Sequence, residues 1–207
     1  MSLELWLLFV PAAFALNVLP GPNNMLAMTN GLRYGLLYAL KGGVGRLLAF
    51  SILIFLTATG LGAILSTSVT AFYLLKIAGA LYLVYLGYRL WRSQPEAISD
   101  SAFTKEQKVS TRNIIRQEFF VAITNPKAIL IFTAFFPQFL VADTPMLPQF
   151  GIMGITFTVL EIIALILYAV SGRQLAFLTR TVRGQKIMNR TSGSLLIGAG
   201  GLLAISK

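Results

Sequence analysis

Asn17-Val18-Leu19-Pro20-Gly21-Pro22-Asn23-Asn24 lies inside an apolar run long enough to cross a bilayer. Pro20 and Pro22 have no N–H and Gly21 between them is conformationally loose, so a regular helix cannot pass through. A helix broken in hydrocarbon bares N–H and C=O groups, which are tolerated only under protein cover or along a cavity. The stretch therefore reads first as a place where something polar binds, with a structural kink as the alternative. A kink needs fewer breakers than Pro-Gly-Pro flanked by Asn17, Asn23 and Asn24.

Composition describes the surroundings of that break. Of 207 residues, 56% are hydrophobic and 12% charged, where a soluble domain carries roughly 25% charged residues. An integral membrane protein follows. There is no Cys and no His, which removes disulfides, thiol nucleophiles, most transition-metal sites and imidazole acid–base chemistry. The seven carboxylates fall mostly between apolar runs. No catalytic residue, metal or cofactor is expected, which disfavours a membrane-embedded enzyme. The net charge of +10 is carried by the connections, as the positive-inside rule expects, rather than as a nucleic-acid footprint. Glu4 and the lack of a basic leader make the N-terminal run a retained span rather than a signal peptide.

Apolar segments cover 4–32, 37–65, 69–91, 118–141, 147–172 and 192–205, each near the ~20 residues a span needs. The connection holding Arg33 and Lys41, the long one from Arg92 to Gln117, and the one with Arg173, Arg180, Arg183, Lys186 and Arg190 are basic. The connections near Ser66–Ser68 and Asp143 are not. This alternation places both termini outside the cytoplasm.

The halves resemble each other. Asn125-Pro126-Lys127 interrupts the fourth segment as Pro20-Gly21-Pro22-Asn23 interrupts the first. Gly79 and Gly87 in the third segment match Gly193 and Gly201 in the sixth. The expected fold is all-α: six transmembrane helices as two inverted three-helix repeats, with helices 1 and 4 broken near the midplane. The first repeat is 1–92, a basic cytoplasmic connection follows over 93–117, and the second repeat is 118–207. At about 1.5 Å per residue, Lys127 lies roughly 16 Å from Arg116, about half the hydrocarbon thickness. Pro22 lies at a similar distance from Arg33.

The candidate substrate-binding residues are thus Asn17, Pro20, Gly21, Pro22, Asn23, Asn24, Asn125, Pro126 and Lys127. The start of the half-helix at Pro22 can hold a carboxylate, and carbonyls freed near Asn17 can accept from an ammonium. Lys127 at the midplane is functional by default, the alternative being a stem that snorkels to the interface. Glu161 reads as the one acid well inside a span and as the proton-coupling candidate; a static pair with Lys127 or Arg46 is the alternative. Arg46 is expected to snorkel to the cytoplasm and Glu118 to be interfacial. Tyr88 and Trp91 suit an interface belt, and Tyr82 and Tyr85 suit packing. Gly79, Gly87, Gly193 and Gly201 suit close helix approach.

The chain resembles the LysE/RhtB family of amino-acid exporters. The resemblance rests on Pro20-Gly21-Pro22-Asn23, Gly31-Leu32-Arg33-Tyr34-Gly35 and the glycines Gly42, Gly43 and Gly45. It continues with Gly79, Tyr82, Leu83, Tyr85, Leu86 and Gly87, and with Asn125-Pro126-Lys127-Ala128. Leu19 departs from it, since such proteins often have Thr there. The resemblance implies a secondary exporter of amino acids or close derivatives, driven by protons, in a bacterial inner membrane. Its partners would be the amino acid, protons and the lipid bilayer, without nucleic acid, and a homo-oligomer is compatible. Alternating access around a site between the repeats fits both readings. A passive channel or facilitator for a small polar solute is the rival.

Overall fold

A computed structural model describes residues 1–93, 110–141, 144–170 and 181–205. They are all helical, with no strand among the described residues. Helix α1 spans Leu3–Val18, opened by the Ser2 hydroxyl accepting from the Leu5 N–H at 3.3 Å. The chain then bends by 60° into α2, Pro22–Tyr34, with Pro22 at its first position, where a missing N–H is harmless. Gly35, with φ of 89°, turns the chain into α3, Leu36–Thr67. That left-handed φ favours glycine. Helix α4 follows over Val69–Arg92.

The second half begins with α5, Thr111–Ile123, and bends by 52° at Thr124-Asn125. Asn125 caps the next piece, its side chain accepting from the Lys127 N–H at 3.0 Å. That piece, α6, is Pro126–Leu130; it widens into a π turn over Ile131–Phe135 and tightens into a 3₁₀ turn over Phe136–Phe139. Helices α7, Met146–Val170, and α8, Val182–Ile205, complete the described chain.

Among the described residues, two helices, α3 and α7, are long and apolar enough to cross a membrane, and each bent pair adds one more candidate span. Large apolar side chains such as Leu37, Phe55, Leu74 and Ile155 point outward, as lipid-facing residues do. Both α5 and α8 begin well before the apolar segments that start at Glu118 and Ser192. Apolarity marks only the hydrocarbon layer, whereas backbone hydrogen bonding carries a helix on into the headgroups. Most of the 93–117 connection, Asp143, Arg173 and Arg180 lie outside the described residues.

Glycines set two close approaches that matter for the site. A side chain at Gly45 would overlap the Ile115 carbonyl, so α3 and α5 touch backbone to backbone there. Gly31 meets the backbone of Ala169 in the same way, joining α2 to α7. The close helix approach expected of the four glycines holds at Gly87 and Gly193, where α4 meets α8, and at Gly79, which meets the Ala134 carbonyl and Gln138. Gly201 has no near neighbour among the described residues; Gly200 instead meets Ala80. Helical phase decides this, since a sequence match does not say which face meets a neighbour. Tyr85, Tyr88 and Trp91 are exposed, facing away from the centre of the molecule.

Candidate functional site

The two breaks meet. Asn125 Nδ2 donates to Asn23 Oδ1 at 2.6 Å, and Lys127 Nζ donates to the Leu19 carbonyl at 2.9 Å. Between them lies a cavity of about 20 Å³, lined by Asn17, Gly21, Asn23, Asn24, Asn125, Lys127, Ala128, Glu161 and the apolar Phe50, Ile131 and Phe157. That is room for a water and less than any amino acid needs. The predicted residues Pro20, Pro22 and Pro126 are not among the lining residues. Pro22 and Pro126 open their helices and are themselves exposed, so they shape the breaks from outside.

The carbonyls freed at the first break are already covered. Asn24 Nδ2 donates to the carbonyls of Asn17, at 2.6 Å, and Leu19, at 2.9 Å. The Val18 carbonyl accepts from the Tyr168 hydroxyl at 2.7 Å. Lys127 takes the Leu19 carbonyl as well. The carbonyls expected to receive a bound ammonium thus hold an amide, a phenol and the protein's own ammonium. Asn17 Nδ2 and Asn23 Nδ2, buried and belonging to residues that line the cavity, have no hydrogen-bond partner among the described residues.

Two expectations fail here. Arg46 does not snorkel, and Glu118 is not interfacial: both are fully buried. Arg46 Nε and Nη2 reach Glu118 Oε2 at 3.0 and 2.9 Å, and Nη1 reaches Glu161 Oε1 at 2.8 Å. Nη1 also donates to Asn24 Oδ1 at 3.3 Å, and Nη2 to the Asn23 carbonyl. Asn30 Nδ2 donates to Glu118 Oε1 at 3.4 Å. A guanidinium buried in a low dielectric needs every donor answered, and two carboxylates with two Asn groups answer them. Glu161 is therefore not the one deep acid. It pairs with Arg46 by a single contact among the described residues, whereas Glu118 is gripped through both oxygens.

Depth along a segment could not reveal this. Arg46 sits only about one turn into the apolar run, where a long stem ordinarily reaches water. The usable signal was Gly45 beside it, together with Gly42. A Cβ at Gly42 would lie 3.2 Å from Glu118 Cγ, so these glycines bring α5 and its carboxylate onto the arginine.

On its other side the cavity meets Phe50 and Phe157, part of a layer of aromatic rings. Phe132 packs on Phe50, Phe136 and Phe157 with centroids 5.4, 5.0 and 5.2 Å apart. Phe9 continues the layer against Phe135, Phe136 and Phe139. The arrangement places a small cavity at two broken helices between a charged layer and an aromatic one. Such a site can bind and shield a small zwitterion if one layer parts.

The family described as LysE type translocator matches residues 14–207. A membrane protein of Vibrio cholerae without assigned function is 32% identical over 207 residues, covering all of both chains. The homoserine/homoserine lactone efflux protein of Salmonella typhimurium is 32% identical, covering 100% of this chain and 99% of its own. The leucine efflux protein of an Enterobacter species is 29% identical over 190 residues, covering 91% of this chain and 87% of its own. No solved structure matches.

Proposed function

The chain belongs to the LysE type translocator family, transporters and not enzymes, and on that premise we propose that it exports neutral amino acids by proton-coupled alternating access. The observation that carries the reading is the meeting of the two breaks at one small cavity, lined by asparagines, Lys127 and Glu161 as well as apolar residues. The relatives named for efflux of homoserine, its lactone and leucine support this substrate class. So does the charge arrangement. Both buried carboxylates are held by Arg46, which leaves no acidic pair for a cationic side chain.

The proposed architecture is six spans in two inverted repeats, 1–92 and 118–207, joined by the cytoplasmic connection 93–117. Both termini would lie outside the cytoplasm, in a bacterial inner membrane. Helices α4 and α8 are each 24 residues long, about 36 Å at 1.5 Å per residue, and would be the third and sixth spans. Several hydrogen bonds at the cavity cross between the proposed halves: Asn125 to Asn23, Lys127 to Leu19, Tyr168 to Val18 and Arg46 to both glutamates. Rocking one half on the other would exchange these contacts. Glu161, with its single contact to Arg46 and its place on the cavity wall, is the proposed proton carrier. Glu118 would keep Arg46 compensated while Glu161 is protonated.

The test is export from proteoliposomes loaded with neutral amino acids under an imposed pH gradient. Accumulation against the amino-acid gradient in the wild type, lost in Glu161→Gln, is the expected result. Flux that stays strictly downhill despite the gradient would establish a passive facilitator instead. If Pro22→Ala transports normally, the first break is merely structural.

A further inference from the structure

Resting on the amino-acid reading of the cavity, we propose that Lys127 reads the substrate's carboxylate, and that the substrate's ammonium releases it by taking over the Leu19 carbonyl. The Leu19 oxygen has two lone pairs and both are engaged, by Asn24 Nδ2 and by Lys127 Nζ, each at 2.9 Å. A bound ammonium can reach this oxygen only by displacing one of them. Asn24 is not displaceable: its amide also holds the Asn17 carbonyl, and its Oδ1 accepts from Arg46. Lys127 makes one side-chain hydrogen bond among the described residues, on a flexible four-carbon stem. That stem lies along Gly21, where even a methyl group would sit 3.5 Å from its Cδ, so the glycine leaves it room to swing. The lysine ammonium and a substrate ammonium are the same chemical group, so a seat that suits one suits the other.

What Lys127 meets after leaving is set by its neighbours. Asn17 Nδ2 and Asn23 Nδ2 are buried donors without a partner among the described residues, and both residues line the same cavity as Lys127. Amide donors and a released ammonium facing one cavity make an anion seat, and the anionic end of an amino acid is its carboxylate. Charge counting favours the whole zwitterion. Arg46 and Lys127 balance Glu118 and Glu161, so the cluster is formally neutral. A zwitterion preserves that balance. An amine lacking its carboxylate adds an uncompensated positive charge in a low dielectric, which is costly.

The experiment measures how much unlabelled homoserine or homoserine lactone halves efflux of labelled homoserine from proteoliposomes, at a pH that keeps both amines protonated. The lactone keeps the ammonium and replaces the carboxylate by an ester. In the wild type, homoserine should compete at least about tenfold better, the worth of one charge-assisted pair. In Lys127→Met and Lys127→Gln the preference should collapse to about twofold or reverse, because the lactone then finds the Leu19 carbonyl open. Equal competition in the wild type, or an unchanged preference in either variant, overturns the proposal. No transport or competition by any amino acid in the wild type would instead sink the exporter reading itself.

Discussion

One helical turn separates two kinds of packing around the cavity. Arg46 and Phe50 stand four residues apart on α3, Glu161 and Phe157 four apart on α7, and Lys127 and Ile131 four apart along the second broken helix. On one side, charges meet through few, directional contacts, and each group depends on a named partner. On the other, Phe9, Phe132, Phe135 and Phe136 each pack against several rings. Ring contacts are individually small and broadly replaceable. The charged layer should therefore fail abruptly and the aromatic layer gradually.

The largest effect should come from Arg46→Met, which leaves two buried carboxylates unpaired. We expect about 3–5 kcal/mol lost, read as a fall in thermal stability of the detergent-solubilised protein. Replacing the cluster together, as Arg46→Met with Glu118→Leu and Glu161→Leu, should recover most of that stability while transport stays lost. If the triple variant is no more stable than Arg46→Met, the charges are not what the single change exposes.

Next in size are the two carboxylates taken singly. Glu118→Gln should cost about 1–3 kcal/mol, and more than Glu161→Gln, because Glu118 holds Arg46 through both oxygens. Transport should rank the other way in its response to pH, with Glu161→Gln losing the effect of an imposed gradient. Equal stability losses would erase the proposed division between a fixed arm and a releasable one.

On the aromatic side, Phe136→Leu keeps most of the volume and should cost less than about 1.5 kcal/mol. A loss as large as that of Arg46→Met would show the rings to be as specific as the ion pairs. The smallest change is Trp6→Phe, which removes the indole hydrogen bond to Thr156 Oγ1 at 3.1 Å between two residues that do not line the cavity. About 0.5–1.5 kcal/mol is expected, with transport unchanged.

Both breaks were legible because they are local chemistry. Pro20, Gly21, Pro22 and Pro126 interrupt a helix by geometry and missing donors wherever they stand, and an interruption in an apolar run needs polar cover. Their matching depth could be counted from the nearest basic residues. Arg46 and Glu118 were misplaced for the opposite reason. A long charged side chain near the end of an apolar run can reach water or turn inward, and the choice belongs to neighbours far along the chain.

What the sequence by itself determined is the membrane solvent, the helical backbone and the places where that backbone breaks, all consequences of composition and of donors that particular residues lack. Only the tertiary structure decided which charges are buried together. Gly45 lets α5 press on α3, Gly31 lets α7 press on α2, and the arginine between them is closed off from water with two glutamates. Burial is a property of several helices at once: a charge is stabilised only where partners 72 and 115 residues away arrive within 3 Å of it.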